Sequence, residues 1–292
     1  MAERFILNIL GSASAKPDLY RESSAQLLQA AERLFLIDCS EGTQRRILFQ
    51  KERVRAWMSE NSLQGVQIPS SNKLDSIFIS HVHGDHMFGL FPLLNTMGMN
   101  NRTKPLRIFG PAALGSILNF YKSFWGVRDG YEIEFTALKG KEPELVYDLG
   151  SLRVYALPLR HGVDAYGFLF TETEPLTLHG RPSRPRSYVY ISDTATFPEL
   201  ASWCEGVDLM YHEATYMNVD AAKAAARFHS TTVQAARCAL DASAGRLLIG
   251  HYSSSLSVED IRGPYIAEAR AVFPDSTAVT DGDIYDLPLR PL

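Results

Sequence analysis

The stretch ISHVHGDHMFGL, residues 79–90, places three histidines and one aspartate within six positions. An apolar run at 74–80 leads into it and is typical of a buried β-strand. Four side chains that can bind metal therefore follow the end of a strand in one tight turn. A single histidine after a strand is usually a packed or solvated residue, but packing gives no reason to cluster groups that lose hydration at a cost. The cluster indicates a metal site.

The spacing H-x-H-x-D-H suggests how the turn is used. His81 and His83 point the same way if the backbone stays extended, because side chains alternate along a strand. The turn that follows carries Asp85 and His86 to a neighbouring position. One turn can thus supply two ligand pairs for two adjacent ions. Imidazole and carboxylate suit zinc, and the pattern does not exclude manganese.

Further ligands are needed to complete two coordination shells. His161 follows VYALPLR, Asp193 follows YVYIS and His251 follows RLLIG, and each of these runs is typical of a strand. A sheet would present residues at such positions along one edge. Each residue alone is weak evidence, whereas together with the turn they form a coherent set.

Composition restricts the class of protein. The chain has 292 residues, of which 46% are hydrophobic and 21% charged, as in globular domains. It has no apolar run of the roughly 20 residues that a membrane helix needs, and the short apolar run near the N-terminus indicates a first strand rather than a signal peptide. We therefore expect a cytoplasmic protein without a membrane partner. The net charge of -4 gives no global attraction to nucleic acid.

The three cysteines are odd in number and far apart, so buried thiols are expected rather than disulfides or a thiolate metal site. No shift of composition marks a domain boundary, and we predict a single domain over 1–292. Strands are predicted at 4–10, 33–38, 74–80, 106–109, 131–136, 145–147, 152–157, 166–171, 187–191, 208–211 and 246–250. Helices are predicted at 41–58, 88–98, 111–125, 219–227, 231–243 and 257–271. The segments 59–73 and 172–186 are predicted to be loops. The irregular alternation favours an α/β protein with packed sheets and outer helices over one doubly wound sheet.

Several motifs occur together in a characteristic order. They are ILGSAS (9–14), RLFLIDCSEGTQRRI (33–47), SHVHGDHMFGL (80–90), PLRIFGP (105–111), YISDT (190–194), YHEATY (211–216), FHSTTVQAA (228–236) and GHYSS (250–254). With them the sequence resembles the metallo-β-lactamase superfamily, whose fold is an αββα four-layer sandwich. Within it the chain is similar to the ribonuclease Z family, endonucleases that process the 3′ end of tRNA. The HEAT and HST motifs are more specific to that family than the histidine turn is.

The resemblance implies a ligand set and a reaction. One zinc ion would be held by His81, His83 and His161 and the other by Asp85, His86 and His251, with Asp193 bridging them. Two such ions, about 3.5–4 Å apart, can clamp a phosphodiester and activate a water. The resemblance also implies a homodimer that acts on precursor tRNA.

Three residues receive catalytic roles. Asp85 would also accept a proton from the attacking water. By resemblance, His229 would protonate the departing 3′-oxygen and Glu213 would orient His229. The alternative for His229 is a residue that only precedes a helix, with Ser230 or Thr231 as the N-cap.

The chain departs from the family in one substrate-binding feature. Bacterial members usually carry a long tRNA-binding arm between the equivalents of His161 and Asp193, and here the short loop 172–186 stands in its place. Arg184 and Arg186 in this loop are candidate phosphate contacts, although a short charged loop is more often only solvated. Arg53 and Arg55, in a longer segment than the family usually has, are candidates to replace the lost contact. The alternative for that segment is an amphipathic surface helix.

Two other functions remain open from the sequence. A dinuclear zinc hydrolase of small phosphodiesters or esters would suit the missing arm and the acidic balance. A non-catalytic binding protein of the same fold would not need an intact ligand set.

Overall fold

The computed structural model describes residues 4–16, 18–125, 130–174, 177–178 and 181–291. The chain forms two compact units. Unit 1 comprises Met1–Gly11, Glu22–Lys139 and Asp281–Pro288, and unit 2 comprises Ser12–Arg21, Gly140–Thr280 and Leu289–Leu292. Each unit is built on a seven-stranded mixed sheet.

The sheet of unit 1 combines antiparallel and parallel pairing. Its strands are β1 (Ile6–Gly11), β2 (Ala25–Ala30), β3 (Arg33–Ile37), β4 (Leu74–Phe78), β5 (Leu106–Pro111), β6 (Ile133–Leu138) and β16 (Ile284–Asp286). Their order in the sheet is β16-β1-β2-β3-β4-β5-β6. The strands β3, β4, β5 and β6 run parallel, so the residues that follow β3 and β4 lie at the same edge of the sheet.

Helices cover one face of this sheet. They are α1 (Thr43–Glu60), a 3₁₀ turn (Ser71–Lys73), α2 (Gly84–Met87), α3 (Leu90–Met99) and α4 (Ala112–Trp125). Apolar residues recur along α3 at helical spacing, and Leu93, Leu94 and Met97 are fully buried. They pack in one cluster with Ile77 and Ile108 of the sheet. This packing fixes α3 and the turn that precedes it.

Unit 2 has a similar build. Its main sheet contains β7 (Glu144–Asp148), β8 (Leu152–Leu159), β9 (Ala165–Glu172), β12 (Ser187–Ile191), β13 (Leu209–Glu213), β14 (Leu247–Gly250) and β15 (Ser276–Ala278). The order is β15-β14-β13-β12-β9-β8-β7, and the strands from β12 to β15 run parallel. A small sheet joins β10 (Thr177–Leu178), β11 (Arg181–Arg184) and β17 (Arg290–Pro291).

The helical elements of unit 2 include two that are not α-helices, a 3₁₀ turn and a π turn. They are α5 (Glu199–Trp203), a 3₁₀ turn (Asn218–Asp220), α6 (Ala221–Ala226), α7 (Thr232–Asp241), α8 (Val258–Asp260), a π turn (Ile261–Tyr265) and α9 (Ile266–Val272). The π turn contains Pro264 and a non-helical Gly263, so the helix predicted at 257–271 is kinked. Small side chains of α7, such as Ala235 and Ala239, are fully buried against β13 and β14.

Most predicted elements are found near their predicted bounds, whereas several short elements, among them β2, β15, β16 and α5, were not predicted. The strand β2 escaped prediction because polar Gln29 is buried there; its amide donates to the carbonyl of Gly65 and accepts from the backbone of Gln67. The segment 172–186 is not all loop, because it contains β10 and β11. The single-domain description of 1–292 stays a prediction.

The cysteines agree with the expectation of buried thiols. All three thiols are buried, and burial raises the pKa of Cys238 to about 12. Among the described residues no helix combines the length and apolarity needed to cross a bilayer.

Candidate functional site

The histidine turn of unit 1 lies directly after β4. His83 precedes the short helix α2, which carries Asp85 and His86. The Nε2 atom of His81 lies 3.0 Å from Nδ1 of His83, and Nε2 of His86 lies 3.3 Å from a carboxylate oxygen of Asp85. The turn thus holds these residues as two pairs, which is the grouping that two separate ions would require.

Asp38, at the end of the neighbouring strand β3, holds the histidine turn through hydrogen bonds. Its buried carboxylate accepts from the backbone N–H of Ser80 at 2.7 Å, from the Ser80 hydroxyl at 2.9 Å and from Nδ1 of His86 at 2.7 Å. Because the Ser80 hydroxyl donates to Asp38, it accepts from Nδ1 of His81, 3.0 Å away. Asp38 itself has a left-handed backbone (φ 56°), which aspartate adopts more readily than most other non-glycine residues.

Gly89 lets the turn dock closely onto the segment after β3. A Cβ atom at this position would lie 1.9 Å from the carbonyl oxygen of Ser40. The Gly89 N–H donates to the carbonyl of Cys39, whose own N–H donates to the carbonyl of His86. The glycine of the HMFGL tail is therefore required by this backbone contact.

Asp38→Asn is expected to weaken binding of a divalent metal by about 10-fold to 100-fold, since outer carboxylates orient ligating histidines. Asparagine tolerates the left-handed backbone but cannot accept both side-chain hydrogen bonds as a carboxylate does. Competition with a chromogenic chelator measures the affinity. Asp75→Asn is a matched control, because Asp75 belongs to β4 and pairs with Arg33 and Arg107. Equal affinities for wild type and Asp38→Asn would contradict this role.

In unit 2 the three predicted ligands meet around one carboxylate. Asp193 follows β12, and its two oxygens face different histidines. One oxygen lies 3.9 Å from Nε2 of His161 and the other 3.2 Å from Nε2 of His251. This is the arrangement that a bridging carboxylate requires. His251 has a left-handed backbone (φ 64°), so its position is held at a conformational cost.

Four of the candidate ligand histidines use the same ring nitrogen for their supporting hydrogen bond. Nδ1 of His161 donates to the carbonyl of Phe228 at 3.0 Å. Nδ1 of His251 lies 2.8 Å from the hydroxyl of Thr215, which itself donates to Glu213 and so accepts from the histidine. Nδ1 is thus engaged, and Nε2 is the ring nitrogen presented as a ligand, in each of His81, His86, His161 and His251. This donor set fits zinc, because ligating histidines are normally held through the other nitrogen.

Glu213, at the end of β13, is a fully buried hydrogen-bond centre. One oxygen accepts from the backbone N–H groups of Thr194 (3.1 Å) and Ser230 (2.8 Å) and from Nδ1 of His229 (3.1 Å). The other accepts from the N–H and hydroxyl of Thr215. Burial by itself raises the pKa of the Glu213 carboxyl, but the charge and hydrogen bond of His229 outweigh it, so the pKa lies below its ordinary value.

The HST motif divides its work among its three residues. His229 is partly exposed and packs between the rings of His161 and His251, with centroids 5.3 and 5.5 Å away. Ser230 binds Glu213 through its backbone and the carbonyl of Thr194 through its hydroxyl. Thr231 caps α7 with a capping box, so the cap is Thr231 rather than Ser230. The cap and the catalytic candidate are therefore different residues.

Comparison with known proteins places the chain. The Beta-lactamase superfamily domain matches residues 33–252. The chain is 34% identical to Ribonuclease Z of Porphyromonas gingivalis, covering 97% of this chain and 99% of that protein. It is 35% identical to Ribonuclease Z of Parabacteroides distasonis, covering 95% and 97%. The chain belongs to the ribonuclease Z family.

A solved structure supports the fold of this ribonuclease Z family member. Human tRNase Z, short form, superposes with a TM-score of 0.75 at 23% identity, covering 97% of this chain and 99% of that one. The predicted fold class, an α/β protein of the metallo-β-lactamase type, is thus confirmed. The Glu213 and His229 positions lie inside the segment that matches the superfamily domain.

The four candidate substrate arginines lie in different settings. Arg53 and Arg55 are exposed on α1; Arg53 donates to the carbonyl of Gly282 and Arg55 pairs with Glu52 at 2.8 Å. Arg184 is half exposed and pairs with Asp208. The structure argues against Arg186 as a phosphate contact. Its side chain is buried and donates twice to Glu172, at 2.6 and 3.0 Å.

Sequence reasoning missed the residues that hold the histidines. These are Asp38, Ser80, Thr215 and the backbone of Phe228. Asp38 carried a usable signal, since it follows the apolar run RLFLI much as Asp193 follows YVYIS. Thr215 and Phe228 carried none, because their contacts depend on the folded chain.

Proposed function

We propose that this chain is a zinc-dependent endoribonuclease that removes the 3′ trailer from precursor tRNA and leaves a 3′-hydroxyl on the tRNA. The observation that carries the proposal is the buried Glu213 carboxylate that holds the partly exposed His229 beside Asp193 and His251, in a member of the ribonuclease Z family. An acid held by a buried carboxylate next to a ligand cluster suits cleavage of a phosphodiester with a poor leaving group.

Two zinc ions are proposed as cofactors, with manganese as the alternative metal. The ligands would be His81, His83 and His161 for one ion, Asp85, His86 and His251 for the other, and Asp193 between them. When bound, the ions would polarise the phosphodiester and lower the pKa of a water toward neutrality. The orientation of the histidines described above supports this assignment.

The side chains then carry the protons. Glu213 holds His229 through Nδ1, and Nε2 of His229 is proposed to deliver a proton to the departing 3′-oxygen. The surrounding hydrogen bonds keep Glu213 ionised, so it stabilises the charged imidazolium. Asp85 is proposed to accept a proton from the attacking water. These roles depend on where the groups are held. The Glu213 carboxylate is already fully hydrogen-bonded before substrate arrives, so it orients His229 in advance.

Cleavage of precursor tRNA tests the proposal. Zinc-loaded protein should cut a 3′-extended precursor lacking the CCA sequence after the discriminator base. A bis-aryl phosphodiester is the comparison substrate. Hydrolysis of that compound without cleavage of the precursor would favour the second candidate, a hydrolase of small phosphodiesters. The short 172–186 segment, in which Arg186 is buried, is the feature that favours this alternative.

The exposed arginines of α1 are proposed to contact tRNA phosphates. Reversing two charges with Arg53→Glu and Arg55→Glu should weaken precursor binding and reduce the slope of log affinity against log salt by about 1 for each lost contact. Filter binding over a salt series measures both. Arg107→Glu with Arg153→Glu is the matched control, because these arginines are similarly exposed on other elements. An unchanged slope would reject the contact.

The assembly and the compartment are proposed by resemblance to the family. We propose a homodimer acting on precursor tRNA in the cytoplasm. Sedimentation velocity of the purified protein distinguishes a dimer from a monomer.

A further inference from the structure

Unit 2 contains a cavity of about 520 Å³ next to the ligand candidate His161. Its wall is formed by residues of three segments, which include Lys141, Arg160, His161, Phe197, Glu199 and Trp203. The volume lies within the range of about 300–1,000 Å³ that small-molecule sites occupy. The catalytic roles proposed above use only His161 of these residues.

The guanidinium of Arg160 is prearranged at this cavity. It lies over the ring of Phe197, with its Cζ atom 4.7 Å from the centroid, and pairs with Glu199 at 3.3 Å. Phe197 is nearly buried and is braced edge-on by Trp203, at a centroid distance of 5.5 Å. The Arg160 side chain is nevertheless 57% exposed. One face of the guanidinium therefore rests on an aromatic ring while much of the group stays open to a ligand.

The backbone ties this platform to the proposed scissile site. The Arg160 N–H donates to the Thr194 hydroxyl at 3.1 Å, and the Ala195 N–H donates to the Arg160 carbonyl at 2.8 Å. Arg160 is thus held near Asp193 by Thr194 and Ala195, the two residues that follow Asp193. Arg160 also immediately precedes His161 in the chain. A group stacked on Arg160 would therefore lie near a phosphate held at His161 and Asp193.

The charge of the wall favours a base over a phosphate. Lys141 and Arg160 are balanced by the carboxylates of Glu142, Asp164 and Glu199. A polyanion would meet those carboxylates, whereas a nucleobase can stack on a guanidinium plane and donate its amino groups to them.

We propose that this cavity binds the base of the first trailer nucleotide, with Arg160 as its stacking platform. The proposal rests on the proposed function. The trailer is single-stranded, so its first base can turn out of line cheaply, whereas the discriminator base would have to leave the acceptor stem stack. Arg160 is therefore a specificity residue that contacts substrate.

Arg160→Lys separates stacking from charge, because lysine keeps the charge and loses the plane. Loss of one stacked base should raise KM for precursor tRNA about tenfold or more, with a smaller change in kcat. An abasic first trailer nucleotide should raise KM of the wild type by a similar factor. The variant should then show no further loss on the abasic precursor. Arg153→Lys, the same exchange at an exposed ion-paired arginine, should behave as wild type.

Three outcomes would overturn the inference. Arg160→Lys with wild-type KM would show that charge alone suffices. An equal additional loss on the abasic precursor would show that Arg160 acts elsewhere. Sensitivity to an abasic discriminator position instead of the trailer position would reject the trailer base as the occupant. All three require a wild type that cleaves the unmodified precursor, and failure of that reaction would instead reject the proposed function.

Discussion

His229→Ala is expected to lower kcat for precursor tRNA by about 10²-fold to 10⁴-fold, the usual contribution of a positioned general acid. The departing 3′-oxygen is a poor leaving group and needs the proton that Nε2 of His229 would deliver. A bis-aryl phosphodiester releases a phenolate that needs no proton, so its hydrolysis should fall far less. Single-turnover rates on the two substrates measure the difference.

Glu213 should show the same substrate dependence by another route. In Glu213→Gln the amide nitrogen would face N–H donors of Thr194, Ser230 or Thr215. Both the orientation of His229 and the stability of the fold should therefore suffer, the stability by about 1–3 kcal/mol.

Zinc content is the control for His229→Ala. If zinc is lost together with activity on both substrates, His229 is a ligand rather than the acid.

Asp193→Ala should lower zinc binding and abolish turnover of both substrates. Its two carboxylate oxygens face His161 and His251, so its removal takes one donor from each proposed ion and leaves the two histidines without their common partner. We expect metal affinity to fall by at least about a hundredfold, since loss of outer partners alone costs 10-fold to 100-fold. Zinc per chain after dialysis, measured by atomic emission, tests the expectation.

A matched control separates metal loss from general damage. Asp208→Asn alters another nearly buried carboxylate of unit 2, one that binds Arg184 and Ser187. It should retain its zinc. Full zinc occupancy in Asp193→Ala would contradict the bridging assignment and, with it, the dinuclear centre. The contrast with His229→Ala, where metal should remain, distinguishes ligand from acid.

The candidate ligands were predictable because their signal lies in short stretches of the sequence. The histidine turn crowds its donors into six positions, and His161, Asp193 and His251 each follow an apolar strand. Strand periodicity is a property of neighbouring residues, so the strands that end at these positions could also be predicted. The roles of Glu213 and His229 came from resemblance to the family and not from any local pattern.

The partners that hold those groups could not be predicted in the same way. Asp38 and Ser80 are 42 positions apart and meet because β3 and β4 are parallel neighbours. The loop predicted at 172–186 and the exposure assumed for Arg186 failed for a related reason. Glu172, 14 positions away, supplies a carboxylate that offsets much of the cost of burying the guanidinium.

By itself, the sequence determined the family, the strand ends and the types of donor atom, because these depend on residue identity and short-range spacing. Only the tertiary structure decided which nitrogen each histidine presents, which arginine is buried and which stacks on Phe197. Hydrogen bonds and burial depend on strand register and on contacts between segments far apart in the chain, and no local pattern encodes them.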